Sequence, residues 1–295
     1  MPNSEVITGL MNIQTVGVIG SGTMGAGIAQ VVSQQGFTVR LYDIAENIVS
    51  RAKANIHAQW DRLTEKGRLT AEESAAAKSR LSTTCDLEDL KDCQLVIEAA
   101  PEKMEIKRDI FRKLEEICGP EAIFASNTSS LSITAIAGSI QNPERVAGLH
   151  FFNPAPLMPL VEVIRGLRTS DGTIEVLTAF TRRIGKHPVL CQDTPGFIVN
   201  RVARPFHNEA LRIMGDKLAT PQQIDRIMKK AGGFRMGPFE LQDMIGLDIN
   251  FSATKSVYEG YFGDPRFRPH YFQQRMVDSG NLGRKTGRGY YSYES

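Results

Sequence analysis

Along the first two thirds of the chain, short β-branched runs alternate with longer stretches in which apolar residues recur every three or four positions. The runs predict strands over Thr15 to Ile19, Thr38 to Tyr42, Gln94 to Glu98, Ala122 to Ala125, Val146 to Leu149 and Leu160 to Ile164. Helical spacing covers Ala26 to Gln35, Ala45 to Thr64 and Glu105 to Cys118, the last with Met104, Ile106, Ile110, Phe111, Leu114 and Ile117 in one apolar stripe. Strand and helix in alternation imply parallel strands joined by crossover helices, an α/β doubly wound sheet. From about Pro195 the β-branched runs stop, and helix-like segments follow, punctuated by Gly232-Gly233, Gly237-Pro238 and Gly263-Asp264-Pro265. The expected organisation is an α/β domain over 1–192 and an all-helical C-terminal domain over 193–295. The join falls between Lys186 and Thr194, where Pro188 and Pro195 bracket one further strand.

Composition narrows the partners. The 295 residues allow about two domains. With 41% apolar and 23% charged residues, the chain has material for packed cores. Lys and Arg total 35 against 33 Asp and Glu, a net charge of +2, which leaves no global field to attract nucleic acid or an anionic membrane. No run approaches the roughly 20 apolar residues of a membrane span. Met1 to Gln14 carries neither an export signal nor an Arg-rich presequence, so the expected location is cytoplasmic. Cys85, Cys93, Cys118 and Cys191 show no paired spacing and no clustering with His, and are read as buried free thiols with no metal.

The first chemistry lies at the first strand. Val16 to Ile19 runs into Gly20-Ser21-Gly22-Thr23-Met24-Gly25, and a helix follows. Gly20 permits a tight turn, Gly22 lets backbone approach a pyrophosphate, and Gly25 lets helix and strand pack closely. The helix N-terminus then offers unpaired N–H groups to phosphate. A second strand ends at Asp43, where a carboxylate can accept from both ribose hydroxyls and repels a 2′-phosphate. Together these mark a Rossmann-like site selective for NAD over NADP.

His150 ends one strand and opens a loop, where α/β sheets line their ligand crevice. Glu162 is a single carboxylate in the apolar run Leu160 to Ile164, costly to bury without a partner. A His–Glu pair satisfies both groups and supports proton transfer. On spacing alone, a structural histidine and a strand-edge glutamate serve equally well. Ser126, Ser129 and Ser130 lack the G-x-S-x-G setting of a nucleophilic serine.

The segments Ala125-Ser126-Asn127-Thr128-Ser129-Ser130-Leu131, Ala147 to Pro154, Leu160 to Ile164, Asp193 to Arg201, Met236 to Leu241 and Gly283 to Tyr291 resemble the signature of the L-3-hydroxyacyl-CoA dehydrogenases. The resemblance runs from about Thr15 to Tyr293 and is nearest to the bacterial 3-hydroxybutyryl-CoA dehydrogenases. It implies that His150 is the general base, Glu162 its orienting partner, and Ser129 and Asn200 hydrogen-bonding groups for the substrate, with Asn153 in the same pocket. It further implies NAD contacts from Glu102, Lys107, Ser129, Asn153 and Lys285, beside Gly20, Gly22, Thr23, Met24, Gly25 and Asp43. Without the resemblance, Lys107 reads as a solvated helix charge and Asn200 as an ordinary helix residue. Lys66 falls where the family has a lysine near CoA, with Arg51, Lys53, Arg62 and Arg68 adding local positive charge. Two departures weaken the CoA match: Gln59 stands where relatives can have Ser, and Pro159 where Lys is common.

The expectation is therefore an NAD-dependent oxidoreductase interconverting 3-hydroxyacyl-CoA and 3-ketoacyl-CoA, with an acyl-CoA thioester as substrate. The helical domain, by resemblance, holds a homodimer. Its apolar Gly237-Pro238-Phe239 and Leu241 to Phe251 read as too hydrophobic to face water alone. The rivals are a related NAD-dependent hydroxy-acid or sugar-acid dehydrogenase, and a non-catalytic NAD-binding protein.

Overall fold

The computed structural model describes residues 13–293; the stretch 1–12, read above for export signals, lies outside the described residues. The chain divides into two compact units, Met1–Asp193 and Thr194–Ser295.

In the first unit, eight strands form one sheet: β1 Thr15–Ile19, β2 Thr38–Tyr42, β3 Leu81–Thr84, β4 Leu95–Glu98, β5 Ile123–Ser126, β6 Val146–Phe151, β7 Leu160–Arg165 and β8 His187–Gln192. Their spatial order is β3-β2-β1-β4-β5-β6-β7-β8. The chain winds outward from β1 and then returns to β4 on its other side, so the direction of winding reverses beside β1. That reversal opens a crevice at the carboxyl ends of the strands. The crossovers carry α1 Thr23–Gln34, α2 Glu46–Glu65, α3 Ala71–Arg80, α4 Met104–Ile117, α5 Ile133–Ala137 and α6 Asp171–Arg183. Apolar side chains of the strands and helices, among them Val16, Val18, Ile28, Leu41, Trp60, Leu149, Val161 and Phe180, make one continuous core.

The all-parallel expectation fails at one pair. β7 runs antiparallel to β6, with β8 parallel to β7. The connection 152–159 is shorter than the dozen or so residues that a parallel crossover needs, so the chain turns back on itself. Among the elements that escape the sequence pattern are α5 and α6 as well as β3 and α3. β3 is an edge strand of mostly Ser and Thr beside β2, and α3 is short and polar, started by a capping box between Thr70 and Glu73.

The apolar stripe of α4 also needs correction. Phe111 and Leu114 are buried, but Ile106 is exposed and Lys107 turns inward. Cys85 is exposed, against the expectation for all four thiols. Burial pushes the Cys93 and Cys191 thiols up to about 12 and Cys118 up to about 11, so all three stay protonated.

The second unit is helical: α7 Val199–Gly215, α8 Pro221–Lys230, α9 Pro238–Ile245, α10 Leu247–Gly260 and α11 Tyr271–Asp278. Ala210, Leu211, Ile224 and Phe239 form its core. Phe239, expected at an interface, is wholly buried, whereas Met244, Ile245 and Ile249 face solvent.

Two buried aspartates tie the closing segment to this core. Asp225 accepts from the N–H of Phe239 and of Glu240 and from the Tyr291 hydroxyl. Asp243 accepts from the N–H of Tyr290 and of Tyr291 and from the Tyr293 hydroxyl. A Cβ on Gly289 would lie 2.1 Å from Asp243 Oδ1, and one on Gly237 would lie 2.3 Å from Asp225 Oδ1. These signature glycines are therefore places where backbone must meet carboxylate. Arg204 is buried nearby in α7, donating to Asn250 O and Thr254 Oγ1. Burial, reinforced by Arg204, holds the His207 imidazole down at about 3.

Candidate active site

The glycine turn after β1 has the shape its sequence requires. Gly20 sits at φ 90°, and a Cβ there would lie 2.6 Å from Ala99 O. At Gly25 a Cβ would lie 1.7 Å from Gly20 O, so helix and turn touch only because residue 25 lacks a side chain. Gly22 differs: a Cβ there meets nothing within 4 Å. Its glycine serves open space in front of α1 rather than packing. Gly22 is the N-cap of α1 and, with Thr23, is exposed. The first turn has no side-chain cap and no acidic residue. Its orphan N–H groups and the helix dipole are left for an anion, which is the environment a dinucleotide pyrophosphate fits.

Asp43, just past β2, completes this edge. Its Oδ2 accepts from Ser21 N at 2.7 Å and Ser21 Oγ at 2.7 Å, and its Oδ1 accepts from Ile44 N at 2.8 Å. A carboxylate has about four acceptor sites, so one remains and the Ser21 hydroxyl can yield another. That capacity matches a ribose diol.

The antiparallel turn-back puts the histidine and glutamate opposite each other. His150, near the end of β6, is the register partner of Glu162, near the start of β7. His150 Nδ1 lies 2.7 Å from Glu162 Oε2, with the side chains only 5% and 1% exposed. A carboxylate only accepts, so Nδ1 carries a proton, and in the neutral imidazole Nε2 then presents its lone pair. Ser129 Oγ lies 3.0 Å from Nε2, and its hydroxyl donates there. Phe152 packs on the imidazole at 4.6 Å between ring centroids. Asn127 Oδ1 accepts from Phe151 N at 2.8 Å, joining the Ser129 turn to the end of β6.

The loop that follows the histidine is held from two sides. Lys186, nearly buried, donates to Ala155 O at 2.7 Å, Pro156 O at 3.3 Å and Met158 O at 2.9 Å. Burial pushes its ammonium below the usual lysine range. On the other side, a Cβ on Gly27 of α1 would lie 3.2 Å from Ala155 Cβ. The loop therefore rests on the helix that starts at the glycine turn.

Lys107 is no solvated charge. Its Nζ lies 2.7 Å from Glu98 Oε1, and the two side chains are 1% and 0% exposed. Glu98 Oε2 accepts from Ser126 Oγ at 2.6 Å. Glu102 approaches the same ammonium at 3.4 Å through Oε2. Its Oε1 accepts from Thr128 Oγ1 at 2.5 Å, Ser129 N at 3.0 Å, Ser130 N at 3.1 Å and Ser130 Oγ at 2.9 Å. Burial alone would push the Glu102 carboxyl up, but Lys107 and these donors together outweigh it and hold the group below the usual carboxylate range.

The structure thus gathers Ser129, His150 and Glu162 in one contact chain, with Glu102 and Lys107 behind Ser129. The glycine turn and Asp43 share the same carboxyl edge of the sheet. Asn153 is exposed in the loop after β6. Lys66 is exposed as the C-cap of α2; Arg62 and Arg68, close to it along the chain, are exposed as well, and so is Arg51 near the other end of the helix. Asn200 and Lys285 belong to the second unit: Asn200 opens α7, partly buried, and Lys285 Nζ pairs with Asp248 at 2.5 Å. Sequence reasoning missed Glu98, Ser126 and Lys186. Glu98 alone carried a signal, as a carboxylate closing an otherwise apolar strand.

Comparison with known proteins adds the family to which both units are similar. Residues 15–194 match the family described as 3-hydroxyacyl-CoA dehydrogenase, NAD binding domain, and residues 196–293 match its 3-hydroxyacyl-CoA dehydrogenase, C-terminal domain counterpart. A 3-hydroxyadipyl-CoA dehydrogenase of Escherichia coli is 49% identical over 97% of this chain, which spans 60% of that protein's length. A probable 3-hydroxybutyryl-CoA dehydrogenase of Deinococcus radiodurans is 45% identical over 94% of this chain and 99% of its own. The crystal structure of (S)-3-hydroxybutyryl-CoA dehydrogenase from Ralstonia eutropha superposes with a TM-score of 0.92 at 43% identity, covering 96% of this chain and 100% of that one.

Proposed function

The chain belongs to the 3-hydroxyacyl-CoA dehydrogenase family, with NAD as its cofactor, and from that premise we propose that it interconverts short-chain L-3-hydroxyacyl-CoA and 3-ketoacyl-CoA, with His150 as the proton-transfer group. The carrying observation is the imidazole fixed between Glu162 on Nδ1 and a hydroxyl on Nε2. Bound at the glycine turn and Asp43, NAD+ would supply the hydride acceptor in oxidation and NADH the donor in reduction.

In oxidation, Nε2 takes the proton of the 3-hydroxyl as hydride leaves C3. The imidazolium then forms 2.7 Å from the Glu162 carboxylate, in a site with little water to screen the attraction. In reduction the same proton returns to the substrate oxygen. The Ser129 hydroxyl now fills the hydrogen-bonding position on Nε2 that the substrate hydroxyl must enter. As substrate arrives, Ser129 turns its proton toward the substrate oxygen and holds it in place. Lys186 and Gly27 keep the loop after His150 seated.

The exposed cations at Lys66, Arg51, Arg62 and Arg68 support a thioester of CoA, whose phosphates they can attract. The exposed Met244, Ile245 and Ile249 support a homodimer through the second unit. The test is NADH oxidation with acetoacetyl-CoA and with free acetoacetate. Turnover of the thioester alone is expected. Equal turnover of the free acid would favour a hydroxy-acid dehydrogenase, and turnover of neither would defeat the proposal.

A further inference from the structure

The turn that carries Ser129, residues 127–132, has no helix or strand to shape it. Besides the Thr128 hydroxyl, which accepts from Leu131 N at 2.9 Å, an ion cluster buried at Glu98 and Lys107 gives it its form. At its start, Ser126 donates to Glu98 Oε2, and in its middle Thr128, Ser129 and Ser130 converge on Glu102 Oε1. Lys107 joins the two carboxylates, at 2.7 Å from Glu98 and 3.4 Å from Glu102. Glu98 and Lys107 are rigid through burial. Glu102, 40% exposed, is the cluster's member at the rim.

A serine hydroxyl on an unsupported turn samples several rotamers and backbone positions. The contact to Nε2 needs one of them. Two successive N–H groups, of Ser129 and Ser130, point at one carboxylate oxygen, which fixes the backbone on both sides of the Ser129 Cα. We propose that Glu102, held by Lys107, is a positioning residue that sets the Ser129 hydroxyl on His150 Nε2. The proposal rests on the reading of His150 as the proton-transfer group, and it gives Glu102 a role separate from touching the cofactor.

The test compares Glu102→Ala, Glu102→Gln, Ser129→Ala and the Glu102→Ala/Ser129→Ala double variant. The ¹⁵N resonance of His150 Nε2, assigned against His150→Gln, reports the hydroxyl contact without any substrate. Both alanine variants should move it in the same direction, and the double variant should move it no further than Ser129→Ala. Glu102→Gln keeps an acceptor for the turn and should restore most of the shift. It also supplies the comparison if Glu102→Ala fails to fold.

In steady state, Glu102→Ala should lower kcat by about 10- to 100-fold, the scale of an ångström-sized misplacement, and add nothing to Ser129→Ala. Both kcat values are read at saturating NADH, so that loss of a cofactor contact from Glu102 or Ser129 falls on KM and leaves kcat to report the positioning. A His150 resonance that moves in Ser129→Ala but not in either Glu102 variant overturns the proposal. So does a loss that multiplies with that of Ser129→Ala, or a weakened NADH affinity with kcat intact. If the unmodified protein fails to reduce acetoacetyl-CoA, the functional reading falls while the resonance comparison still decides the positioning role.

Discussion

Replacing Glu162 by glutamine removes a charge while keeping a hydrogen-bond acceptor of the same size. The Nδ1–Oε2 separation is 2.7 Å, and both side chains are buried. Charge centres lie deeper in each group, at roughly 4 Å, where an effective dielectric of about 20 gives an attraction of about 4 kcal/mol. With about half of the imidazolium charge developed in the transition state, about 2 kcal/mol is lost, or roughly 30-fold in kcat for 3-hydroxybutyryl-CoA oxidation. Full development gives an upper bound near 10³-fold. His150→Gln should cost about 10²–10⁴-fold. NADH binding, measured by fluorescence, should barely change in either variant. The double variant should be far less impaired than the product of the single losses, since the glutamate acts only through the imidazole. Stopped-flow measurement at saturating NAD separates the chemical step from product release. A Glu162→Gln enzyme within about threefold of the parent, or losses that multiply, would refute the electrostatic coupling.

The glycine turn separates packing from binding. Gly22→Ala should melt like the parent yet weaken NADH binding at least about tenfold, whereas Gly25→Ala, with its Cβ 1.7 Å from Gly20 O, should also lose thermal stability; equal melting losses in both would contradict the assigned roles. Asp43→Asn should reduce the preference for NADH over NADPH in kcat/KM, and an unchanged ratio would remove the carboxylate from ribose recognition. His207, held at about 3 inside α7, has an ordinary value near 6.5 in the unfolded chain, so the unfolded form gains a proton that the folded form refuses as pH falls from about 6.5 toward 3. Stability from this group is intact above pH 6.5 and declines by up to about 1.4 kcal/mol per unit below it; His207→Phe should flatten that slope in urea melts between pH 4.5 and 7, and identical slopes would count against it. Sedimentation at micromolar concentration should show a dimer, which Ile249→Glu should dissociate; a parent protein sedimenting as a single chain would defeat the proposed interface.

Much of the sheet was legible because buried strands such as Val16 to Ile19 and Leu95 to Glu98 are short apolar runs with clear ends. β3 was not, since an edge strand can be built from Ser and Thr when its neighbour supplies the pairing. The glycine turn was readable down to the role of Gly25, because a missing Cβ leaves its mark in sequence. Lys107 was misread for a specific reason. The inward face of α4 passes through 107, 111 and 114, a four-then-three spacing, but a lysine on that face reads as an interruption unless its buried carboxylate is known. Glu98 and Ser126 come from separate strands, so no local pattern could announce their meeting with Lys107. The Cys85 error is simpler: a thiol after an edge strand has no layer above it.

The antiparallel step between β6 and β7 also bears on how freely the protein can be altered. Because His150 and Glu162 are ladder partners, their separation is a property of sheet register and does not depend on the path the chain takes between the two strands. The exposed tip of 152–159, at Leu157 and Met158, can therefore be altered with the His150–Glu162 pairing left in place. A one-residue slip in β7 would instead turn Glu162 to the opposite face and abolish the pair at a stroke. Changes in the loop are open to this scaffold by small steps, while a change of register between the two strands is all or none.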